Sequence, residues 1–102
     1  MSLLTEQPHP TTATGDVWAE ILDETTDKRL RALYTERREQ GITRYGVPLQ
    51  RENGRNHSAD AVQELVDAIV YFRAADRKKA QSLVEAVLIF VLDEHDKAHH
   101  DL

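Results

Sequence analysis

The sequence predicts an all-α protein, an antiparallel helical bundle of three to four helices whose core is completed by association of copies. Three observations carry this expectation. Apolar residues recur at i, i+3 and i+4 in separate stretches of the chain. Residues that start or stop helices, Asp16, Gly41 and Ser58, stand at the edges of those stretches. The last stretch, with Leu83, Val84, Val87, Leu88, Phe90, Val91 and Leu92, is apolar around most of a helix circumference. A helix of that kind is buried on several sides, here within an oligomer.

Residues 1–14 hold Pro8, Pro10 and four threonines with little apolar content, and read as a flexible N-terminal arm. A single helical domain then fills 15–102. Asp16 is a good N-cap for Val17, Trp18, Ile21 and Leu22, with Trp18 as a core anchor or interface residue. The cluster Thr25-Thr26-Asp27 predicts a break or a new cap. Leu30, Leu33 and Tyr34 continue the helical period, and Gly41 is the expected C-terminal cap because glycine enters the left-handed region without a Cβ penalty. Residues 41–57 then read as one long loop, rich in the turn formers Gly46, Pro48, Asn53, Gly54 and Asn56. Loops of this length inside a domain are often functional. Ser58 is the expected cap of the next helix, whose apolar face is Val62, Leu65, Val66, Ile69 and Phe72. At 76–79 the pattern turns polar without a Gly or Pro, leaving open either a short connection or one long helix through solvent. The polar tail 94–102 is expected to fray.

The chain has the length of one domain, 102 residues, and its 40% hydrophobic content is enough for a core. No cysteine is present, which excludes disulfides and thiolate metal sites and favours a reducing compartment. The first fifteen residues lack the basic and apolar regions of a signal peptide, and the longest apolar run, 86–92, is too short for a bilayer. A cytoplasmic protein without a membrane segment is the expectation. Net charge is −5, a poor basis for nonspecific nucleic-acid binding. The charge is unevenly spread: 16–27 carries five acids and no base, whereas 28–55 carries eight bases and three acids. That basic stretch suits a small anion such as phosphate.

Acidic residues form the main candidate site. Glu36 and Glu39 lie three apart, as do Glu64 and Asp67, so each pair shares a helix face. Two such helices packed across the loop bring four carboxylates together. Carboxylates so gathered repel one another unless they hold a hard divalent cation, for which Mg²⁺ is the natural choice. In the loop, Arg44, Arg51 and Arg55 are suited to bidentate contacts with phosphate oxygens, and Asn53 and Asn56 to hydrogen bonds with a base or ribose. The same arginines are equally suited to pairing with the acids of 16–27.

The pattern Glu36-x-x-Glu39, 24 residues, then Glu64-x-x-Asp67 resembles the divalent-metal signature of the all-α nucleoside triphosphate pyrophosphohydrolases, the MazG-like superfamily, over roughly residues 30–72. The run Arg44-Tyr45-Gly46-Val47-Pro48-Leu49-Gln50, with Asn53-Gly54-Arg55 and on to Tyr71, is also similar to small phage or prophage proteins of this type. The resemblance implies carboxylates on neighbouring helices that bind Mg²⁺, and hydrolysis of a nucleoside triphosphate to the monophosphate and pyrophosphate. The chain departs from the family where Thr35 precedes Glu36 in place of a second acid, so one ligand or supporting acid is missing. On a helical wheel, Glu64 and Asp67 fall with Asp60 and Tyr71 opposite the Leu65–Ile69 face. They point inward only if a second surface also packs, and otherwise are solvated.

Two functional expectations follow. One is a Mg²⁺-dependent nucleotide pyrophosphohydrolase or a degenerate relative of one, down to a binder that retains nucleotide without hydrolysis. The other is a non-enzymatic, phage-type protein that binds a host protein through a helical surface, to which the short length, the missing acid, the arm and the last helix all point. Both predict a homo-oligomer with no specific nucleic-acid partner. His95 and His99, at i and i+4, have a spacing that zinc accepts, but without a placed third ligand they read as a solvated tail. Arg77-Lys78-Lys79 reads as a solvated connection, and no P-loop, dinucleotide or serine-nucleophile motif is present.

Overall fold

The described residues form four helices, α1 (Val17–Glu24), α2 (Lys28–Tyr45), α3 (His57–Ala74) and α4 (Lys78–His100). The structure, a computed structural model, describes residues 3–4, 6–8 and 15–100, with only the backbone of His100. The rest of the expected arm, and residues 101–102, lie outside the described residues. The protein is all-α. Among the described residues there is no strand, only an isolated antiparallel bridge between Asp16 and Gln50. No described helix is long and apolar enough to cross a membrane.

The described chain forms two compact units, one of residues 7–55 and one of residues 1–6 with 56–102. In the first, α1 and α2 are joined by three residues and each is capped by an aspartate. Asp16 accepts from the Ala19 N–H at 3.2 Å, and Asp27 from the N–H groups of Arg29 and Leu30 at 2.8 and 3.2 Å. The end of α1 is closed from a distance. Arg31 donates to the carbonyl oxygens of Leu22 and Thr25, satisfying acceptors that a helix end leaves free. Trp18 and Tyr34 meet with ring centroids 6.0 Å apart, so Trp18 anchors α1 on α2.

Helix α2 does not stop at Gly41. It runs on to Tyr45, and Gly46, at φ 83°, takes the left-handed cap with its N–H on the Ile42 carbonyl at 2.7 Å. Glycine inside a helix costs only about 1 kcal/mol. Ile42 to Tyr45 contain no breaker, whereas Pro48 two residues beyond Gly46 forbids continuation. The connection is therefore 46–56, shorter than the loop expected at 41–57. It is pinned to the start of α1: Val17 N–H donates to the Leu49 carbonyl at 3.0 Å and Arg51 N–H to that of Gly15 at 2.7 Å. A Cβ on Gly15, at φ 87°, would lie 3.2 Å from that of Arg51.

In the second unit Asn56, not Ser58, caps α3 by accepting from the Ala59 N–H at 3.0 Å. Asn56 sits three residues before that N–H, the reach a capping side chain needs, and Ser58 is left exposed in the first turn. The open question at 76–79 resolves into a short connection. Asp76 adopts φ 57°, its N–H donates to the Arg73 carbonyl, and the Arg77 N–H donates to that of Phe72. This paired bonding is the Schellman stop, normally built on glycine and here on an aspartate, which tolerates the left-handed region. Helices α3 and α4 then run antiparallel: Val62 and Val66 near the start of α3 line one apolar cavity with Leu88 and Leu92 toward the end of α4. Leu3 and Leu4 line the same cavity, and the Gln63 amide donates to the Leu3 carbonyl at 3.3 Å. Ala59 and Val62 are the buried apolar side chains among the described residues. Helix α4 continues through the polar segment after Asp93 to His100.

Candidate functional site

Each acidic pair occupies a regular helix, so the i, i+3 spacing does set its two carboxylates on one face. Glu36 and Glu39 stand on α2, with exposed Thr35 beside them, and Glu64 and Asp67 stand on α3. All four acids are exposed, and none enters an ion pair or hydrogen bond among the described residues. The pairs belong to different units. Among the described residues no three His, Cys, Asp or Glu side chains are gathered so as to hold a metal ion.

Asp16, Glu20 and Asp27 of the first unit do form ion pairs. Asp16 receives both Nε and Nη2 of Arg38, at 3.1 and 2.7 Å, in a partly buried contact. The Arg38 hydrogen bond holds the Asp16 carboxyl below the usual carboxylate range against the opposing effect of burial, and the Ala19 N–H and the Arg38 charge add to it. Asp27 is lowered by its hydrogen bond with Arg29 and by the N–H groups it caps. Arg38 in turn is raised, first by Asp16 and to a lesser degree by the charge of Glu39.

The expected phosphate and base contacts fall on residues that also build the loop. Arg51 forms an ion pair with Glu20, which raises its pKa further. Arg55 donates through its guanidinium to the Pro8 carbonyl and through its backbone to Asn53 Oδ1, the latter at 3.1 Å. Asn53 is 4% exposed, a buried polar residue holding a turn. Asn56 uses its oxygen as the α3 cap. Arg44, in the last turn of α2, rests over the Tyr45 ring at 5.2 Å and makes no ion pair among the described residues. The pairing of the acidic 16–27 stretch with the basic 28–55 stretch is thus realised at Asp16–Arg38, Glu20–Arg51 and Asp27–Arg29. Arg38 and Arg31 went unremarked in the sequence reading; the one available signal was the opposite charge of the two stretches.

His95 and His99 stack with centroids 4.1 Å apart, and His99 Nδ1 donates to the His95 carbonyl at 2.8 Å. That nitrogen is therefore occupied by its own helix. Comparison of the chain with known protein families, curated proteins and solved structures finds no match.

Proposed function

We propose that the protein is a Mg²⁺-dependent nucleotide pyrophosphohydrolase, or a degenerate relative of one, with Glu36, Glu39, Glu64 and Asp67 as the metal-holding acids. The observation that carries the reading is that each i, i+3 pair shares an exposed helix face and forms no ion pair among the described residues. The donor set also suits the ion: four carboxylates, with no nitrogen or sulfur, are hard oxygen ligands. When bound, Mg²⁺ supplies charge neutralisation and orientation of the triphosphate.

The chain's own residues then have separable tasks. Arg44, which lies over the Tyr45 ring and makes no ion pair among the described residues, holds phosphate oxygens. Arg51 and Arg55 reach phosphate by exchanging their contacts with Glu20 and the Pro8 carbonyl. Asn53, buried in its turn, keeps the loop in shape, and Asn56, whose oxygen caps α3, meets a base or ribose through its amide nitrogen. The arginine charges stabilise the negative charge that grows on the departing pyrophosphate.

Titration of Mg²⁺ against a panel of nucleoside triphosphates, with pyrophosphate detection, tests the reading. Mg²⁺-dependent pyrophosphate release that Glu64→Ala abolishes is the expected result. No turnover, together with undiminished Mg²⁺ binding in Glu64→Ala, overturns it.

A second reading, a non-enzymatic module that binds a host protein through a helical surface, is favoured by the loop. Arg51, Arg55, Asn53 and Asn56 all hold backbone or acid partners, as residues of a structural connection do. Recovery of one dominant stoichiometric protein partner, without nucleotide turnover, distinguishes it.

A further inference from the structure

We propose that the outer face of α4 is a self-complementary contact by which two copies of this chain dock antiparallel about a two-fold axis. Helix α4 carries two apolar faces. Val84, Leu88, Val91 and Leu92 are half-buried, and Leu88 and Leu92 line the cavity shared with α3. About a third of a turn away, Leu83, Val87 and Phe90 follow i, i+4, i+7 spacing and are 70%, 51% and 63% exposed. A solvent-facing helix surface is normally polar, so an apolar stripe over about two turns marks a contact surface.

Charge chooses the occupant. Lys79 stands one turn before Leu83 on this stripe, and Glu94 one turn after Phe90. A two-fold contact requires that whatever residue i meets on the partner be the residue whose own counterpart is i. With the axis crossing α4 beside Val87, Leu83 lies opposite the second copy's Phe90 and Lys79 opposite its Glu94, and symmetry repeats both contacts. Parallel docking instead sets lysine on lysine and glutamate on glutamate, which like-charge repulsion disfavours. The apolar centre with oppositely charged ends thus fits a second copy of this helix in one orientation. The inference does not depend on the proposed hydrolase activity.

Sedimentation analysis of the full chain tests it. The wild type is expected to be a dimer, and Phe90→Glu a monomer with unchanged far-ultraviolet circular dichroism, since the side chain is exposed. Lys79→Glu and Glu94→Lys each weaken dimerisation by about tenfold or more, because each creates two like-charge contacts per dimer. A one-to-one mixture of these two single variants restores the dimer, as does the double variant, because both recreate opposite-charge pairs. A monomeric wild type at high concentration overturns the proposal and leaves the face to a different protein. So does an assembly that Phe90→Glu leaves intact, or a mixture of the single variants that fails to recover.

Discussion

Between α1 and α2 the joining side chains are Asp16, Arg31 and Arg38 with one aromatic pair, whereas between α3 and α4 they are Val62, Val66, Leu88 and Leu92. The first unit is assembled by directed bonds: charged side chains close helix ends, and a backbone bridge pins the loop to the start of α1. In the second, apolar burial dominates, with one asparagine cap and a Schellman stop at its turns. Directed bonds fix geometry well but contribute little net stability each, because they replace bonds to water. Apolar burial contributes about 25 cal/mol per Å² and tolerates variation in detail. The 46–56 connection, with its backbone bonds to Gly15 and Val17 and its Glu20–Arg51 pair, is held by the first kind of construction.

The largest expected effect lies in the second unit. Val62→Asp places a carboxylate at a 4% exposed position without a partner, and is expected to cost about 3 kcal/mol or more, read as lost amide-exchange protection in α3 and α4. Retained protection would show that α3 and α4 are not held by this apolar contact.

Next is Asp16→Ala in the first unit. Loss of the cap alone is expected to cost about 1 kcal/mol in chemical denaturation, with the lost Arg38 contact adding to it. The same residue gives the comparison a pH axis. Arg38 lowers the Asp16 carboxyl in the folded chain, so its stabilising effect is full above the ordinary carboxylate range near ~4 and is lost as pH falls through the lower folded value. The thermal midpoint should therefore fall as the solution is acidified below about pH 4, and Asp16→Asn should flatten part of that slope.

Two glycines then separate helix interior from helix cap. Gly46→Ala is expected to destabilise by about 1 kcal/mol because of its φ of 83°. Gly41→Ala is expected to stabilise by about 0.5–1 kcal/mol, since nothing lies within 4 Å of an added Cβ in mid-helix. Opposite signs in equilibrium unfolding support the observed end of α2, and equal signs contradict it. The smallest change is Asp76→Gly, which relieves a left-handed aspartate and should add about 0.5 kcal/mol.

Those glycines also mark what could be read in the chain before its fold was known. The all-α class, the Asp16 cap and the break at Thr25-Thr26-Asp27 were legible because capping and periodicity are local properties. The end of α2 was misplaced because Gly41 and Gly46 look alike in isolation, and only Val47-Pro48 beyond the second distinguishes them. Ser58 reads as the cap because it is an N-cap residue just before the apolar period, but Asn56 is equally suited by type, and only the fold shows which side chain accepts from the Ala59 N–H. The role of Arg31 depends on the distant carbonyls of Leu22 and Thr25, contacts that no local pattern encodes. For the candidate site, the spacing correctly placed both acidic pairs on helix faces. The loop arginines divided between two roles because a basic stretch is equally suited to phosphate and to the acids upstream.

The functional proposal rests on the unmatched acids of α2 and α3. Pyrophosphate release from nucleoside triphosphates with Mg²⁺, compared between the wild type and Glu36→Gln, Glu39→Gln, Glu64→Gln and Asp67→Asn, tests it most directly. The account predicts release by the wild type and a loss of about a hundredfold or more in each variant with helicity unchanged. Equal release, or equal absence of release, in the wild type and all four variants would contradict it.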